Sequence, residues 1–323
     1  MDVEKIIKNV TARKQFKGML LTTGDDHHLV YDKLPFGIDY LDSMLKGGIP
    51  CGRVTLVYGD FSSGKSFLAL NAIRSAQGNN KSVVLIDTDR SYDLTWAKTV
   101  GVDIANLVVA RPNHGEQAFD LAVSLVEDGI DLVIMDTMDA LIAINEAEEN
   151  MEEIFIGAQA RMIAKGLRKI IRINQKTAFL AISHVREGFG RFASKRIPGG
   201  KAQEEMASLM LLVSKGAAIK EDDKRVGFNM RIMIEKDKIH GKLYESCELP
   251  FRFEGGGIDT MSGLFQLGMD AGAIVQHGPR YEILGHKLIG KLNVIELIRS
   301  NEDIQRELKD KIKTIGEERN VES

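Results

Sequence analysis

One run of eight residues has the composition and spacing of a phosphate-binding loop. Residues 59–66 read GDFSSGKS, which matches G-x-x-x-x-G-K-[ST] between a strand-like run and a helical run. The glycines let backbone N–H groups turn toward phosphate oxygens, and the helix N-terminus adds a favourable dipole. We therefore expect Lys65 to neutralise nucleotide phosphates and Ser66 to hold Mg²⁺. The nucleotide-binding residues expected in this loop are Gly59, Asp60, Phe61, Ser62, Ser63, Gly64, Lys65 and Ser66.

A carboxylate at the end of a second apolar run completes the expected metal site. Residues 132–135 are all apolar, and Asp136 follows them directly. A buried strand of this kind would bring Asp136 beside Ser66, where its carboxylate can bind the hydration shell of Mg²⁺. An aspartate after an apolar strand can also cap a helix, but the phosphate-loop motif favours the metal site.

A cationic stripe is predicted on one helix after this strand. Its basic residues recur at helical spacing and are Arg161, Lys165, Arg168 and Arg172. The opposite side of the same helix would be apolar and would consist of Ile163, Leu167, Ile170 and Ile171. Such a stripe is commonly a solvated helix face, and the alternative is a surface that binds a polyanion.

The segment at residues 185–203 favours the polyanion. It is rich in glycine and has neither a strand period nor a helix period, so we expect a mobile loop. Its basic and aromatic residues suit phosphates and bases of single-stranded DNA. Residues 161–201 hold eleven Lys or Arg and one acid, whereas the whole chain has a net charge of −3. The DNA-binding residues expected in the loop are Arg186, Phe189, Arg191, Phe192, Lys195, Arg196, Gly199, Gly200 and Lys201.

The elements that position these residues alternate between strand-like and helical runs. The strand-like runs cover residues 53–58, 82–87, 107–111, 131–136 and 177–183, followed by 208–214, 229–235 and 248–253. This alternation predicts an α/β fold with a mostly parallel sheet covered by helices on both faces. A helical face precedes the sheet at residues 3–16. Short helical patterns from about residue 261 predict a small C-terminal domain that ends in a charged helix at 301–312.

The composition is that of a globular protein with a sizeable core, 44% hydrophobic and 28% charged. No apolar run is long enough for a membrane span and the N-terminus lacks a signal-peptide pattern, so we expect a cytoplasmic protein without a membrane partner. Cys51 and Cys247 are isolated in the sequence. Neither a disulfide framework nor a zinc site is expected from them.

Further blocks, in the same order, resemble the bacterial and phage RecA-type recombinases over nearly the whole chain. The blocks are residues 14–21, 36–37, 47–53, 101–107, 115–118, 198–202, 255–263 and 289–291. The resemblance implies a RecA-like P-loop ATPase core with a mostly parallel sheet, an N-terminal polymerisation helix and strand, and a small C-terminal α/β domain. The implied boundaries are 1–33 for the oligomerisation segment, 34–258 for the core with its DNA-binding loops, and 259–323 for the C-terminal domain.

The resemblance also implies an activity and its partners. Such proteins bind ATP and Mg²⁺, form helical filaments of their own chain on single-stranded DNA, and exchange strands with homologous duplex DNA during recombination and repair. By position, Asp93 and Trp96 would contact the adenine, and Lys236 and Lys238 would reach the γ-phosphate of a neighbouring copy. Arg161 and Arg168 would contact DNA beside a first DNA loop at 149–157.

The chain departs from the family pattern in three places. Asp89 stands where the general base is usually Glu, and is one methylene shorter. His184 replaces the usual Gln that senses the γ-phosphate, so the implied catalytic residues are Asp89, Lys65 and His184. The strongly acidic tail of many bacterial members is absent, because residues 301–323 hold seven acids and five bases.

Two other functions share parts of these motifs. A ring-shaped RecA-fold helicase or motor would also use the phosphate loop and Asp136, but the N-terminal segment and the glycines at 199–200 favour an open filament. An accessory protein that switches DNA binding with ATP, without useful turnover, is compatible with the shortened Asp89.

Overall fold

The computed structural model describes residues 3–16, 21–23, 31–145, 157–186 and 196–321. The chain divides into two compact units, Met1–Asp32 and Lys33–Ser323. The first unit contains helix α1 (Val3–Thr11) and a 3₁₀ turn at Lys14–Phe16. The polymerisation strand expected in block 14–21 falls largely outside the described residues.

A nine-stranded sheet dominates the second unit. Its strands are β3 (Val54–Gly59), β4 (Val83–Asp87), β5 (Val108–Ala110), β6 (Leu132–Asp136), β7 (Ala178–His184), β8 (Leu209–Glu221), β9 (Lys224–Asp237), β10 (Ser246–Arg252) and β11 (Gly257–Ile258). They are ordered β11-β10-β9-β8-β3-β7-β6-β4-β5. The strands from β8 to β5 run parallel, and those from β8 to β11 pair antiparallel. The expected α/β class with a mostly parallel sheet is confirmed.

Helices cover both faces of this sheet. They are α2 (Asp39–Met44), α3 (Lys65–Gly78), α4 (Leu94–Val100), α5 (Gly115–Glu127), α6 (Ala158–Ile173) and α7 (Ala202–Met206). Successive residues of β6 point to opposite faces of the sheet. Ile134 packs with α3, whereas Val133 and Met135 pack with α5 and α6. Burial on both faces explains the continuous apolar run of β6. A short pair, β1 (Lys33–Leu34) with β2 (Ile49–Pro50), precedes β3.

The strand register brings four strand ends to one edge of the sheet. Gly59 on β3 pairs with His184 on β7, and Asp87 on β4 pairs with Asp136 on β6. Because these strands are parallel, their carboxyl ends meet at the same edge, where open α/β sheets bind ligands. The phosphate loop, Asp136 and His184 therefore share one edge.

The C-terminal part builds its own hydrophobic cluster. It consists of β12 (Ile274–His277), β13 (Arg280–Ile283) and β14 (His286–Ile289), an antiparallel sheet, with α8 (Thr260–Ala271), α9 (Lys291–Ser300) and α10 (Glu302–Val321). Phe265, Ile283 and Ile295 belong to this cluster. The proposed boundary at residue 259 stays a prediction.

Three expectations about these elements were wrong in detail. Strands β8 and β9 extend well beyond 208–214 and 229–235, because they form a long ribbon closed at Asp222 and Asp223, both with positive φ. Helix α10 continues past residue 312 to Val321. Ile171 is 39% exposed and does not join the buried face of α6, whereas the other three apolar residues do.

No helix in the described part of the chain is long and apolar enough to cross a membrane.

Candidate active site

Two glycines let the phosphate loop pass close to neighbouring strands. A Cβ on Gly59 would collide with the backbone oxygen of Val213 on β8. Gly64 has φ of 103° and precedes α3, and a Cβ there would collide with the sulfur of Met230 on β9. A side chain at either position would therefore push the loop away from the sheet.

Lys65 at the start of α3 is only 4% exposed. Its ammonium donates to the carbonyl oxygens of Gly59 at 3.1 Å and Asp60 at 2.7 Å. Burial lowers the pKa of Lys65 to about 8, although the carboxylates of Asp136, Asp139 and Asp60 raise it. The charge is thus held by the loop that must receive phosphates, and a bound anion would stabilise it further.

Ser66 and Asp136 form the oxygen pair expected to hold a metal ion. The Ser66 hydroxyl hydrogen-bonds the Asp136 carboxylate, which is 6% exposed. Burial raises the pKa of Asp136 to about 7, and Asp89 adds to the rise. The Oδ1 atom of Asp136 is buried without a hydrogen-bond partner among the described residues. An orphaned carboxylate oxygen beside a hydroxyl fits Mg²⁺, which takes one or two protein oxygens and completes its shell with phosphates and waters.

A cavity beside Ser66 and Asp136 includes both residues that are expected to contact the adenine. It is lined by Ser66, Ala69, Leu70, Ile73, Leu85, Asp87, Ser91, Tyr92, Asp93, Trp96 and Asp136. Asp93 caps α4 by accepting the backbone N–H of Trp96 at 2.6 Å, and the indole lies 6.4 Å from the ring of Phe67. The structure thus brings Asp93 and Trp96 into one cavity with the metal-site residues.

Asp89 lies just past the end of β4 on an exposed turn. Its Oδ1 accepts the backbone N–H of Ser91 at 3.0 Å, which fixes the carboxylate on its own turn. Asp87 two residues earlier is fully engaged, since it accepts from Ser91, Tyr92 and Arg111. Asp89 is therefore the freer of the two carboxylates on this turn.

His184 is held by a residue that the sequence analysis missed. Asp139 accepts the backbone N–H of His184 at 3.0 Å, and its Oδ2 lies 3.1 Å from the ring Nδ1. The imidazole also stacks on Phe61 of the phosphate loop, with ring centroids 4.4 Å apart. Asp139 follows Asp136 by three residues in a 3₁₀ turn, Met138–Ala140. The only local signal was a second aspartate after the metal-site strand.

The base of the glycine-rich loop is closed by the backbone. The N–H and C=O groups of Arg186 and Arg196 bond reciprocally at 2.9 Å, two residues after His184. Gly199 and Gly200 both have φ of 81°, and a Cβ on Gly199 would press on Ile163 of α6. Lys201 is exposed at the start of α7. The expected DNA residues Phe189, Arg191, Phe192 and Lys195 lie outside the described residues, as does most of the loop at 149–157.

Helix α6 presents its basic residues to solvent. Arg161, Lys165, Arg168 and Arg172 are all exposed, while Ile163, Leu167 and Ile170 are buried. A cavity between α6 and the loop base is lined by Asp139, Leu141, Ile142, Gly157, Gln159, Ala160, Arg186, Gly199 and Gly200. The N-terminal part of α6 therefore adjoins the base of the loop at Gly199 and Gly200.

Lys236 and Lys238 lie away from the phosphate loop of their own chain. Lys236 pairs with Met210 and the backbone N–H of Lys238 bonds Ser208, both near the start of β8 and opposite the edge that carries Gly59. Their ammonium groups donate to backbone carbonyls of α7, Lys236 to Glu204 and Lys238 to Glu205. The nucleotide contact expected of these two lysines would therefore be to the nucleotide of a neighbouring copy, and it stays a prediction.

The fold and this edge define a P-loop ATPase in which one strand, β7, separates the phosphate-loop strand from the carboxylate strand. The model of the RecA N-terminal domain matches residues 2–257. Protein RecA of Acidothermus cellulolyticus and that of Frankia alni are each 35% identical to this chain, covering 97% of it and 93% of the relative. Protein RecA of Streptomyces coelicolor is 35% identical, with 97% and 86% covered. The chain belongs to the RecA family.

Membership establishes the activity at family level. Proteins of this family are DNA-dependent ATPases that use ATP with Mg²⁺, form filaments on single-stranded DNA and pair it with duplex DNA in recombination and repair. The ring-helicase and accessory-protein alternatives have no support from these relatives.

Proposed function

We propose that this chain drives homologous strand exchange with MgATP bound at the carboxyl edge of its sheet. Lys65 neutralises the phosphates, Ser66 and Asp136 hold Mg²⁺, and Asp89 orients the attacking water. When bound, Mg²⁺ supplies neutralisation of phosphate charge. Asp93 and Trp96 contact the adenine, and Lys236 and Lys238 act on the nucleotide of the next copy in a filament.

One observation carries this proposal. Strand β7 ends at His184, whose ring stacks on Phe61 of the phosphate loop, and the chain then continues directly into the loop base closed by Arg186 and Arg196. A γ-phosphate that moves His184 would therefore displace the backbone of the basic loop. Nucleotide state and DNA affinity are linked through one short stretch of chain.

The test of this function is an ATP-dependent exchange between circular single-stranded DNA and homologous linear duplex DNA. We expect joint molecules with ATP and Mg²⁺, and none with ADP or without Mg²⁺. Heterologous duplex is the matched control and should yield no product. ATP hydrolysis without any joint molecules, under conditions in which filaments form, would contradict a strand-exchange function.

We infer that the DNA lies along α6 and the glycine-rich loop, because Arg161 and Arg168 of α6 and Arg186 and Arg196 at the loop base are all exposed. Replacing Arg161 and Arg168 together by alanine should flatten the salt dependence of single-strand binding. For two phosphate contacts, the slope of log affinity against log salt should decrease by about 1.4, at about 0.7 per contact. Fluorescence anisotropy of a labelled oligonucleotide over a salt series measures this slope.

A matched control separates contact from overall charge. Lys311 and Lys313 of α10 are exposed, and their double replacement by alanine removes the same two charges at another surface. This control should leave the salt slope unchanged. An unaltered slope in the Arg161 and Arg168 variant would place the DNA elsewhere.

We also infer a cytoplasmic location and the three divisions 1–33, 34–258 and 259–323. The location rests on the DNA substrate and on the lack of a membrane-spanning helix in the described chain. The C-terminal domain at 259–323 is inferred from the separate hydrophobic cluster to which α8, α9 and α10 contribute.

A further inference from the structure

Asp139 binds His184 through two different groups. One oxygen, Oδ1, accepts the backbone N–H of His184 at 3.0 Å. The other, Oδ2, lies 3.1 Å from the ring Nδ1, and both side chains are largely buried at 11% and 18% exposed. The carboxylate therefore fixes both the end of β7 and the orientation of the imidazole.

A second contact fixes the plane of the ring. Phe61 stacks on His184 with an angle of 22° between the rings. With one face against Phe61 and the Nδ1 edge against Asp139, the imidazole has little freedom to rotate. Its remaining nitrogen, Nε2, makes no hydrogen bond to any residue in the described ranges. Nε2 is thus the nitrogen left for a ligand.

The partner of Nδ1 decides where the proton resides. A carboxylate accepts hydrogen bonds only, so Nδ1 must carry the hydrogen in this contact. In a neutral ring Nε2 then has a lone pair and cannot donate. Phosphate oxygens are also acceptors. A hydrogen bond from Nε2 to a phosphate therefore requires the imidazolium form, with a hydrogen on each nitrogen.

We infer that Asp139 is a positioning residue that makes the nucleotide contact of His184 depend on protonation of the ring. The inference rests on the proposed role of His184 as the γ-phosphate contact. It distinguishes this chain from one with Gln at that position, since an amide donates at any pH. ATP would then tighten DNA binding strongly at low pH and weakly at high pH.

Other charged groups lie near Asp139 and along the chain after His184. Asp139 belongs to one electrostatic cluster with Asp60, Lys65 and Asp136, and Arg186, two residues after His184, forms a backbone bridge with Arg196. Burial lowers the pKa of Lys65 to about 8 and raises the pKa of Asp136 to about 7, so both charges also change over this pH range. A variant that removes only the imidazole keeps the responses of Lys65 and Asp136, so its difference from the unmodified protein gives the contribution of His184.

The measurement is the ratio of single-strand DNA affinities with ATPγS and with ADP, from about pH 6 to about pH 8.5. In the unmodified protein the ratio should fall by about tenfold or more with rising pH, because one proton is taken up with the nucleotide. His184→Gln should keep only the pH dependence that comes from Lys65 and Asp136, so its ratio should change much less with pH than that of the unmodified protein. His277→Gln removes an exposed ring on β12 and should keep the pH dependence of the unmodified protein.

Asp139→Asn is the decisive variant. The amide oxygen can keep the bond to the backbone of His184, while the amide nitrogen can donate to Nδ1. The neutral ring then carries its hydrogen on Nε2 and can donate to a phosphate without protonation. The ratio should therefore stay high at about pH 8.5, where that of the unmodified protein is low. In Asp139→Ala, ATPγS and ADP should give the same DNA affinity at all pH values while ATP affinity is unchanged, because the imidazole of His184 is no longer held in its orientation.

The outcomes distinguish the role of His184 from the role of Asp139. If His184→Ala keeps the full ratio, His184 is not the γ-phosphate contact and the proposed role is wrong. If His184→Ala loses the ratio but Asp139→Asn retains the pH dependence of the unmodified protein, only the role of Asp139 is overturned. Should Asp139→Asn fail to fold, an affinity ratio that does not change with pH in the unmodified protein would by itself overturn the inference.

Discussion

Lys65→Ala is expected to reduce ATP hydrolysis by about 10²–10³-fold or more and to abolish strand exchange. The ammonium is the only cation within the phosphate loop, residues 59–66, and the loop holds it in place through Gly59 and Asp60. Without it, the β- and γ-phosphates would lose their charged donor in a buried site. Steady-state phosphate release with single-stranded DNA measures the first effect, and joint-molecule formation the second.

The same substitution should not weaken the empty protein. Because burial lowers the pKa of Lys65 to about 8 from 10.5, the charged form is disfavoured in the fold. This penalty is fully present below about pH 8 and disappears as the pH rises toward 10.5. The nucleotide-free Lys65→Ala variant should therefore unfold at an unchanged or higher temperature near neutral pH. A matched thermal melt distinguishes a lost phosphate contact from misfolding.

Lys81→Ala is the control for this prediction. Lys81 lies just before β4, at the opposite end of the strand from Asp89, and pairs with Asp131 at 3.0 Å on the surface. Exposed pairs of this kind contribute about 0.2–1 kcal/mol to the free energy of unfolding. Hydrolysis should remain normal in Lys81→Ala. Normal hydrolysis in Lys65→Ala as well would remove Lys65 from the assigned site.

The parts that the sequence could predict were those encoded by local patterns. The phosphate loop has a fixed spacing, so the positions of Lys65 and Ser66 followed from eight residues. The run before Asp136 is apolar throughout because β6 is buried on both faces, and this made the strand and its terminal carboxylate recognisable. The expected adenine contacts could be named only through the family resemblance, because Asp93 and Trp96 have no distinctive spacing.

The parts that could not be predicted depend on contacts between distant residues. Asp139 and His184 are 45 residues apart and meet because β6 and β7 are neighbours in the sheet. Likewise Asp42 accepts three backbone N–H groups, from Phe36, Gly37 and Ile38, to fix the turn before α2. A single aspartate in a sequence does not reveal such a partner. Strand order and register had to be known first.

Asp89→Asn is expected to lower ATP hydrolysis by about 10²–10⁴-fold, the usual contribution of a general base, while ATP and DNA binding persist. The amide can still accept the N–H of Ser91, so the turn after β4 should keep its conformation. It cannot take a proton from water. Single-turnover hydrolysis, together with separate nucleotide and DNA affinities, distinguishes loss of chemistry from loss of binding.

A second variant tests the length of the Asp89 side chain. Asp89 is shorter by one methylene than the Glu usual at this position, and one of its oxygens already bonds Ser91 on its own turn. Part of the hydrogen-bonding capacity of the carboxylate is thus taken up by its own turn. Asp89→Glu would extend it toward the water, so hydrolysis should become faster than in the unmodified protein, with little change in ATP affinity.

Asp128→Asn is the matched control, since Asp128 is an exposed carboxylate at the C-terminal cap of α5. Its hydrolysis rate should equal that of the unmodified protein. Asp87 is a poor substitute as the base, because its two oxygens already accept from Ser91, Tyr92 and Arg111 and it is 2% exposed. Normal ATP turnover in Asp89→Asn would therefore point to a base supplied by another element. If Asp89→Asn hydrolyses ATP slowly and Asp89→Glu hydrolyses it faster than the unmodified protein, the attacking water lies beside the turn after β4.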